Sequence, residues 1–300
     1  MYVVMGATGH TGNVVARTLL GKGEKVRVIG RNADRLQALV AKGAEPFVTD
    51  LTDISGLAKA LSGAKAAYVM MPPNVTAADY RAFQDRVTQT IAAALRSAGV
   101  THVVTLSSIG ADKPDRTGPV LGLRRLEEQL NYIHDLHVLH LRAGYFMENT
   151  LAQIGIIQQL GLSLGPLRPD LKLSMIAAQD VGAVAADALL RREFHQKTTR
   201  ELQGQRDISM NEVAQIIGKA IGNANLQYTQ ASDEQVQAAL IQLGMSPNMA
   251  HLIIEMSAAL NSGYMRALEP RSAENTTPTP YEAFVAEQFK PRYEGKSVAA

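Results

Sequence analysis

The sequence predicts an α/β protein: a doubly wound parallel sheet followed by a smaller, mainly helical C-terminal domain. Three observations predict it. Residues 1–142 alternate short apolar runs with amphipathic helical stretches; the first run enters a turn with glycines at 6, 9 and 12; and from residue 150 onward the strict alternation stops. Strands separated by helices of this length are joined by right-handed crossovers and therefore lie parallel. The chain has 300 residues, 46% hydrophobic and 19% charged, enough for one large core or for a nucleotide-type domain with a smaller partner.

The opening stretch, MYVVMGATGHTG, is a buried strand running into a glycine-bounded turn. Behind it lies a helix carrying Val14, Val15, Leu19 and Leu20, closed by Gly21 and Gly23, and then a strand over 25–29. Strand, turn, helix and strand within about thirty residues are the context in which such glycines cradle a pyrophosphate, whose charge the helix N-terminus favours. A Rossmann-type fold is thus expected, with Gly6, Thr8, Gly9, His10, Thr11 and Gly12 as cofactor-binding residues. After the second strand come Gly30, Arg31 and Asn32, where an acid would indicate a free ribose 2′-hydroxyl. A guanidinium there suits a 2′-phosphate instead, so NADP(H) is expected in preference to NAD(H).

The alternation continues with a helix over 34–42, a strand over 44–49, a helix over 54–62 and a strand over 65–71 ending in Met71-Pro72-Pro73. Asp50 and Leu51, directly after their strand, fall where the adenine would lie, and Met71 and Pro72 where the cofactor crosses the strand ends. Phe83, Val87, Ile91 and Leu95 give the helix 79–98 one core-facing stripe. A strand over 101–106 ends in Ser107-Ser108, a helix covers 120–133, and a sixth strand covers 137–142. Gly144, Tyr145 and Phe146 then leave the sheet and, with Ser107, join the expected cofactor contacts.

The dinucleotide-binding domain is drawn at 1–149, rejoined by about 178–205, and the smaller substrate or lid domain at 150–177 and 206–300. Beyond 150 the expected elements are a helix over 150–160, an extended stretch over 162–176, a helix over 180–192 and a strand near 200–203. Further helices are expected over 211–221, 233–243, 247–261 and 281–289. Met245, Met249, Ile253, Ile254 and Met256 are read as core, with an apolar cleft as the other reading.

Thirty basic against 28 acidic residues leave a formal charge of +2 with no cationic stripe, so no nucleic-acid partner is expected. The absence of cysteine excludes disulfides, thiol nucleophiles and thiolate metal sites. A strand beginning at residue 2 leaves no room for a cleavable signal, and no apolar run is long enough to span a bilayer; a cytoplasmic location is expected. His134, His137 and His140 do not form a metal site in this reading, because a spacing of three on an extended chain sends His137 and His140 to opposite faces. No metal is expected.

Taken together, these residues make the chain resemble the NmrA-like family of the atypical short-chain dehydrogenase/reductase superfamily. GATGHTG looks like its glycine turn, and LRAGYFMEN (141–149) is similar to its later segment, with Ala143 in place of proline; Asp180-Val181-Gly182 and 201–217 add to the likeness. The resemblance implies either an NADPH-dependent reductase of quinones or similar electrophilic acceptors, or a redox sensor that binds the dinucleotide and acts through a protein partner. A sugar-nucleotide epimerase is the weaker alternative. The superfamily's usual tyrosine, followed four residues later by lysine, is missing: none of the nine tyrosines has a lysine at that spacing. The candidates left for catalysis are Ser108, Tyr145 and, in the helix where a lysine is expected, Arg124. Arginine stays protonated, so Arg124 can hold an anion but cannot exchange protons near neutrality. A small apolar or quinone-like acceptor is the expected partner.

Overall fold

The computed structural model describes residues 1–296. Its centre is a seven-stranded sheet: β1 (Tyr2–Val4), β2 (Val26–Gly30), β3 (Glu45–Val48), β4 (Ala66–Val69), β5 (His102–Ser108), β6 (His137–Ala143) and β10 (Lys197–Leu202). Every strand is parallel to its neighbours, in the order β3-β2-β1-β4-β5-β6-β10. The order reverses between β1 and β4, which opens a crevice at the carboxyl ends of those strands.

Side chains alternate across the sheet, as the pleat requires. Val4, Val28, Tyr68 and Val104 face α1 (His10–Gly21) and α7 (Ala178–Arg191), meeting Val15, Leu19, Val181 and Leu189. Val3, Ile29, Val69 and Val103 face α3 (Ile54–Leu61), α4 (Tyr80–Ala98) and α5 (Val120–Asn131), meeting Leu57, Val87, Ile91, Leu95 and Leu126. Both faces are covered, so β4 is buried throughout. Each such aliphatic side chain contributes about 1.5–3 kcal/mol on burial.

The stretch expected to be one helix over 34–42 is shorter: a 3-10 turn, Asp34–Leu36, leads into a four-residue α2, Gln37–Val40. Asn32 Oδ1 takes the Asp34 amide at 2.8 Å at one end, and Gly43 with φ +96 turns the chain away at the other.

A second layer lies over the carboxyl ends. The extended stretch after residue 160 is built into two small sheets rather than running free. In one, β9 (Leu173–Ile176) pairs in parallel with β7 (Tyr145–Phe146) and antiparallel with β11 (Asp207–Ile208); in the other, β8 (Ser163–Gly165) pairs with β12 (Tyr228–Gln230). Around them stand α6 (Gln153–Leu160), α8 (Met210–Ile221), α9 (Asp233–Gln242) and α10 (Pro247–Asn261). Capping boxes start α8 (Ser209 with Glu212) and α9 (Ser232 with Gln235). The helix expected at 281–289 is α-helical only over α11 (Tyr281–Phe284). It loosens into a π-type turn, Val285–Phe289, and resumes as α12 (Lys290–Tyr293). That turn keeps Phe284, Val285 and Phe289 in a core shared with Met147, Met175 and Ile217. No helix among the described residues is long and apolar enough to cross a membrane.

Candidate functional site

The turn between β1 and α1 is shaped by its glycines. Gly6 has φ +62, and the Gly9 amide donates to its carbonyl at 2.9 Å. A Cβ on Gly12 would lie 2.3 Å from the Gly6 oxygen, so only glycine fits in the first turn of α1. Helices α3, α4, α8, α9 and α10 are each capped by a side chain: Asp53, Asp79, Ser209, Ser232 and Ser246. Helix α1 has neither a capping side chain nor an acid in its first turn. Its first backbone bond runs from Asn13 N to Gly9 O, so the amides of His10, Thr11 and Gly12 point outward without a partner among the described residues. Thr8, Gly9 and His10 are exposed, while the buried Thr11 hydroxyl accepts from the Tyr68 hydroxyl at 2.8 Å. Such an uncapped helix N-terminus is able to take an anion.

Arg31 follows β2, exposed, with no hydrogen bond or ion pair to another described residue. Asp50, after the neighbouring β3, uses Oδ1 to accept from the Thr52 amide (2.8 Å) and hydroxyl (2.7 Å). The Thr52 hydrogen bonds hold its carboxyl below the usual range, with a smaller push from Arg31. Leu51 is a core residue against α3.

A cavity of about 550 Å³ lies between the carboxyl ends of β4–β6 and the second layer. Met71, Ser107, Ser108, Gly144, Tyr145 and Phe146 line it; Pro73 does so, and Pro72 does not. The opposite wall is Tyr80 and Gln84 of α4, Val120 and Leu123 of α5, Leu171, Leu173, Met256, Leu260 and Met265. Of the methionines and isoleucines in and just before α10, Met256 reaches the cavity, whereas Met249, Met245 and Ile253 pack with Tyr80 and Leu252. This wall has no motif to announce it: its residues come from five separate segments and, apart from Gln84, are joined only by apolarity.

The two serine hydroxyls at the cavity are already committed, whereas the buried Gln84 Oε1 has no partner among the described residues. Ser107 donates to Glu127 Oε1 at 2.5 Å, and Arg142 grips the same buried carboxylate through Nε (3.0 Å) and Nη2 (2.6 Å). Ser108 donates to the Ile109 carbonyl at 2.9 Å. Both serines therefore turn lone pairs, not hydrogens, to the cavity. Burial pushes the Tyr145 phenol up to about 12, with Asn149 opposing it, and the Tyr80 phenol likewise to about 12. Arg124 does not line the cavity: it donates to the Asp112 carbonyl at 2.7 Å and pairs with Glu128 at 2.8 Å. The Ser107–Glu127–Arg142 cluster escaped the sequence reading because its partners stand on three elements with no local spacing to link them.

The histidines serve the sheet. His140 is buried between Thr105 Oγ1 (2.8 Å) and Asn131 Oδ1 (3.0 Å), and His137 packs at a tilt against His102 with ring centroids 4.8 Å apart. No group of three His, Cys, Asp or Glu among the described residues could hold a metal ion.

The chain matches the NmrA-like family over residues 2–284. It is similar to an NAD(P)H azoreductase of Xenophilus azovorans, 28% identical over 267 residues that make up 88% of this chain and 89% of that protein. Among solved structures it is similar to an NADPH-dependent quinone oxidoreductase of Escherichia coli complexed with NADPH. There the TM-score is 0.76 at 22% identity, covering 100% of this chain and 96% of that one. It is likewise similar to the triphenylmethane reductase of Citrobacter sp. complexed with NADP(H), with a TM-score of 0.77 at 19% identity, covering 95% of this chain and 99% of that one. At these identities the two structures speak for the shared fold.

Proposed function

The chain belongs to the NmrA-like family, and from that premise we propose that it is an NADP(H)-dependent reductase of quinones or similar electrophilic acceptors. The observation that carries this is the uncapped, glycine-walled N-terminus of α1 beside an apolar cavity at the same sheet end. The azoreductase, quinone oxidoreductase and triphenylmethane reductase similarities support the same reaction class.

The residues fit the dinucleotide in outline. The amides of His10, Thr11 and Gly12 would hold the pyrophosphate, Arg31 the 2′-phosphate, Asp50 and Leu51 would flank the adenine, and Met71, Ser107 and Gly144–Phe146, which line the cavity, would border the nicotinamide end. When bound, the cofactor supplies a two-electron hydride donor. In this reading the dinucleotide domain is 1–149 with about 178–205, and the smaller domain of 150–177 and 206–300 contributes to the second wall of the cavity.

What the chain's own groups do at the cavity narrows the acceptor. A ketone needs a proton delivered to a poorly stabilised alkoxide, and general acid catalysis contributes about 10²–10⁴-fold. Ser107 and Ser108 have spent their hydrogens, Arg124 is turned away, and the Tyr145 phenol, pushed up to about 12, can donate a hydrogen bond but is a weak acid. A quinone-like acceptor spreads the incoming charge over its ring and takes its proton from water, so walls that hold it near the nicotinamide supply most of the effect by proximity. The test is NADPH oxidation followed at 340 nm across a panel of quinones and azo compounds. Steady turnover is expected; tight NADPH binding with no turnover across the panel would remove the reductase and leave the sensor acting through a protein partner.

A further inference from the structure

The rim of the cavity carries charge of one sign. Its charged lining residues are Lys172, Arg266 and Asp207, and Asp207 is neutralised by the guanidinium of Arg271. Among the described residues Lys172 has one carboxylate in range, Glu212 at 3.8 Å, and Glu212 is already shared between the Ser209 amide (2.9 Å) and Arg206 (3.2 Å). Arg266 is exposed and has no hydrogen bond or ion pair to another described residue. Arg266 also lines an adjoining outer cleft of about 650 Å³, where every other charge is paired: Lys113 with Asp112, Arg116 with Asp115 and Glu255 with Arg81. With a formal charge of only +2 on the whole chain, this excess is local rather than a reflection of a basic protein.

Resting on the reductase reading above, we propose that the acceptor is an aromatic molecule bearing an anionic substituent, a sulfonate, carboxylate or phosphate. Its rings enter the apolar cavity, and the anion stays at the mouth on Arg266 and Lys172. An anion carried into a cavity walled by Leu and Met would lose its hydration without a counter-charge, whereas at the rim it keeps water and gains a planar, bidentate guanidinium partner. Placing the charge outside also fixes which end of the acceptor enters first.

The experiment compares naphthoquinone with its sulfonate in the wild-type enzyme and in Arg266→Ala, Lys172→Ala and the double variant. The readout is the ratio of kcat/KM for the sulfonated over the neutral acceptor, so differences in folding or cofactor binding cancel. Each single substitution is expected to lower that ratio about threefold to tenfold, and Arg266→Lys to restore part of it. Raising salt from about 50 to about 500 mM lowers the ratio in wild type and leaves the double variant flat. A ratio that neither substitution nor salt moves overturns the proposal. If neither quinone is turned over, the reductase reading fails. The rim is then read separately by the fluorescence of bound anilinonaphthalene sulfonate displaced by naphthoquinone sulfonate. Displacement about threefold to tenfold weaker in the double variant supports the anion site, and equal displacement overturns it.

Discussion

The two ends of the seven-stranded sheet treat polar groups in opposite ways. At the amino ends several side chains are paired within the chain. Lys65 pairs with Glu24 at 2.9 Å and sits over the Tyr2 ring, Arg192 donates to the Tyr2 hydroxyl at 2.6 Å, the Gln196 amide donates to His137 Nδ1 at 2.8 Å, and Lys197 donates to the Ile133 carbonyl at 2.7 Å. At the carboxyl ends the amides of His10, Thr11 and Gly12 and the guanidiniums of Arg31 and Arg266 have no partner among the described residues. The open amides of α1 and the Arg31 guanidinium are the donors to which the proposed function assigns the two phosphate groups of the dinucleotide.

The largest break in that contrast is Gly12→Val. Its side chain must occupy the space of the Gly6 carbonyl, which a Cβ would approach to 2.3 Å. NADPH affinity, followed by fluorescence titration, is expected to fall at least about a hundredfold, about 3 kcal/mol, through loss of the backbone cradle. Unchanged affinity would show that the open amides of α1 are not where the dinucleotide binds.

Acidification acts on the satisfied structure instead. Burial drives the His140 imidazole down to about 4 from an ordinary value near 6.5, so the folded protein holds it neutral. The unfolded chain binds the extra proton, so stability is lost as pH falls from about 6.5 toward 4, by up to about 3 kcal/mol from this group. His102, also lowered by burial first and by His137 next, adds in the same direction. Urea midpoints between pH 7 and 4 measure the slope. His140→Gln, which keeps a hydrogen-bonding side chain but does not titrate, is expected to remove about one proton from it, and an unaltered slope would exclude His140 as the source.

What can be read from the sequence follows the same division of local from distant. The β1 glycine turn, the alternation up to β6 and the position of Arg31 are each written in a few consecutive residues. The second wall of the cavity is not, because Tyr80, Leu173, Met256 and Met265 are ordinary apolar residues whose meeting depends on how the second layer docks. Arg124 is legible as a cation on the right helix, but its direction is decided by the Asp112 carbonyl, twelve residues earlier and off the helix. Ser107 is legible as a hydroxyl at the strand end; that its hydrogen belongs to Glu127 is visible only once α5 lies beside β5. The stretch 162–176 looks like free extended chain because the partners that make it sheet, β7, β11 and β12, are two or three residues long and carry no pattern of their own.

Arg31→Ala sharpens the contrast at the open end. A charge-assisted contact to a 2′-phosphate is worth about 1–3 kcal/mol, so NADPH is expected to bind about tenfold to a hundredfold more weakly while NADH is nearly unchanged. Equal losses for both dinucleotides would withdraw the case for phosphate recognition.

The smallest effect is expected where the open end itself contains a closed site. Helices α1 and α7 pack so tightly that a Cβ on Gly182 would lie 2.8 Å from the Thr11 carbonyl, yet their N-termini are finished differently. The first amide of α7, at Ala178, donates to both oxygens of Glu148 (3.0 and 3.2 Å), and Asp180 in its first turn accepts from the Thr279 amide and hydroxyl. The chain thus caps α7 with its own carboxylate, though burial pushes that carboxyl above its ordinary value. Glu148→Ala is expected to cost about 1 kcal/mol, the usual worth of an N-cap, and to lower Tm by about 2 °C by calorimetry. NADPH affinity is expected to stay within about twofold, because the α7 terminus has no open donor to lose until Glu148 is gone. If affinity instead fell as far as it does in Gly12→Val, both helix ends would belong to one binding surface, and the division between the capped terminus and the open one would have to be redrawn.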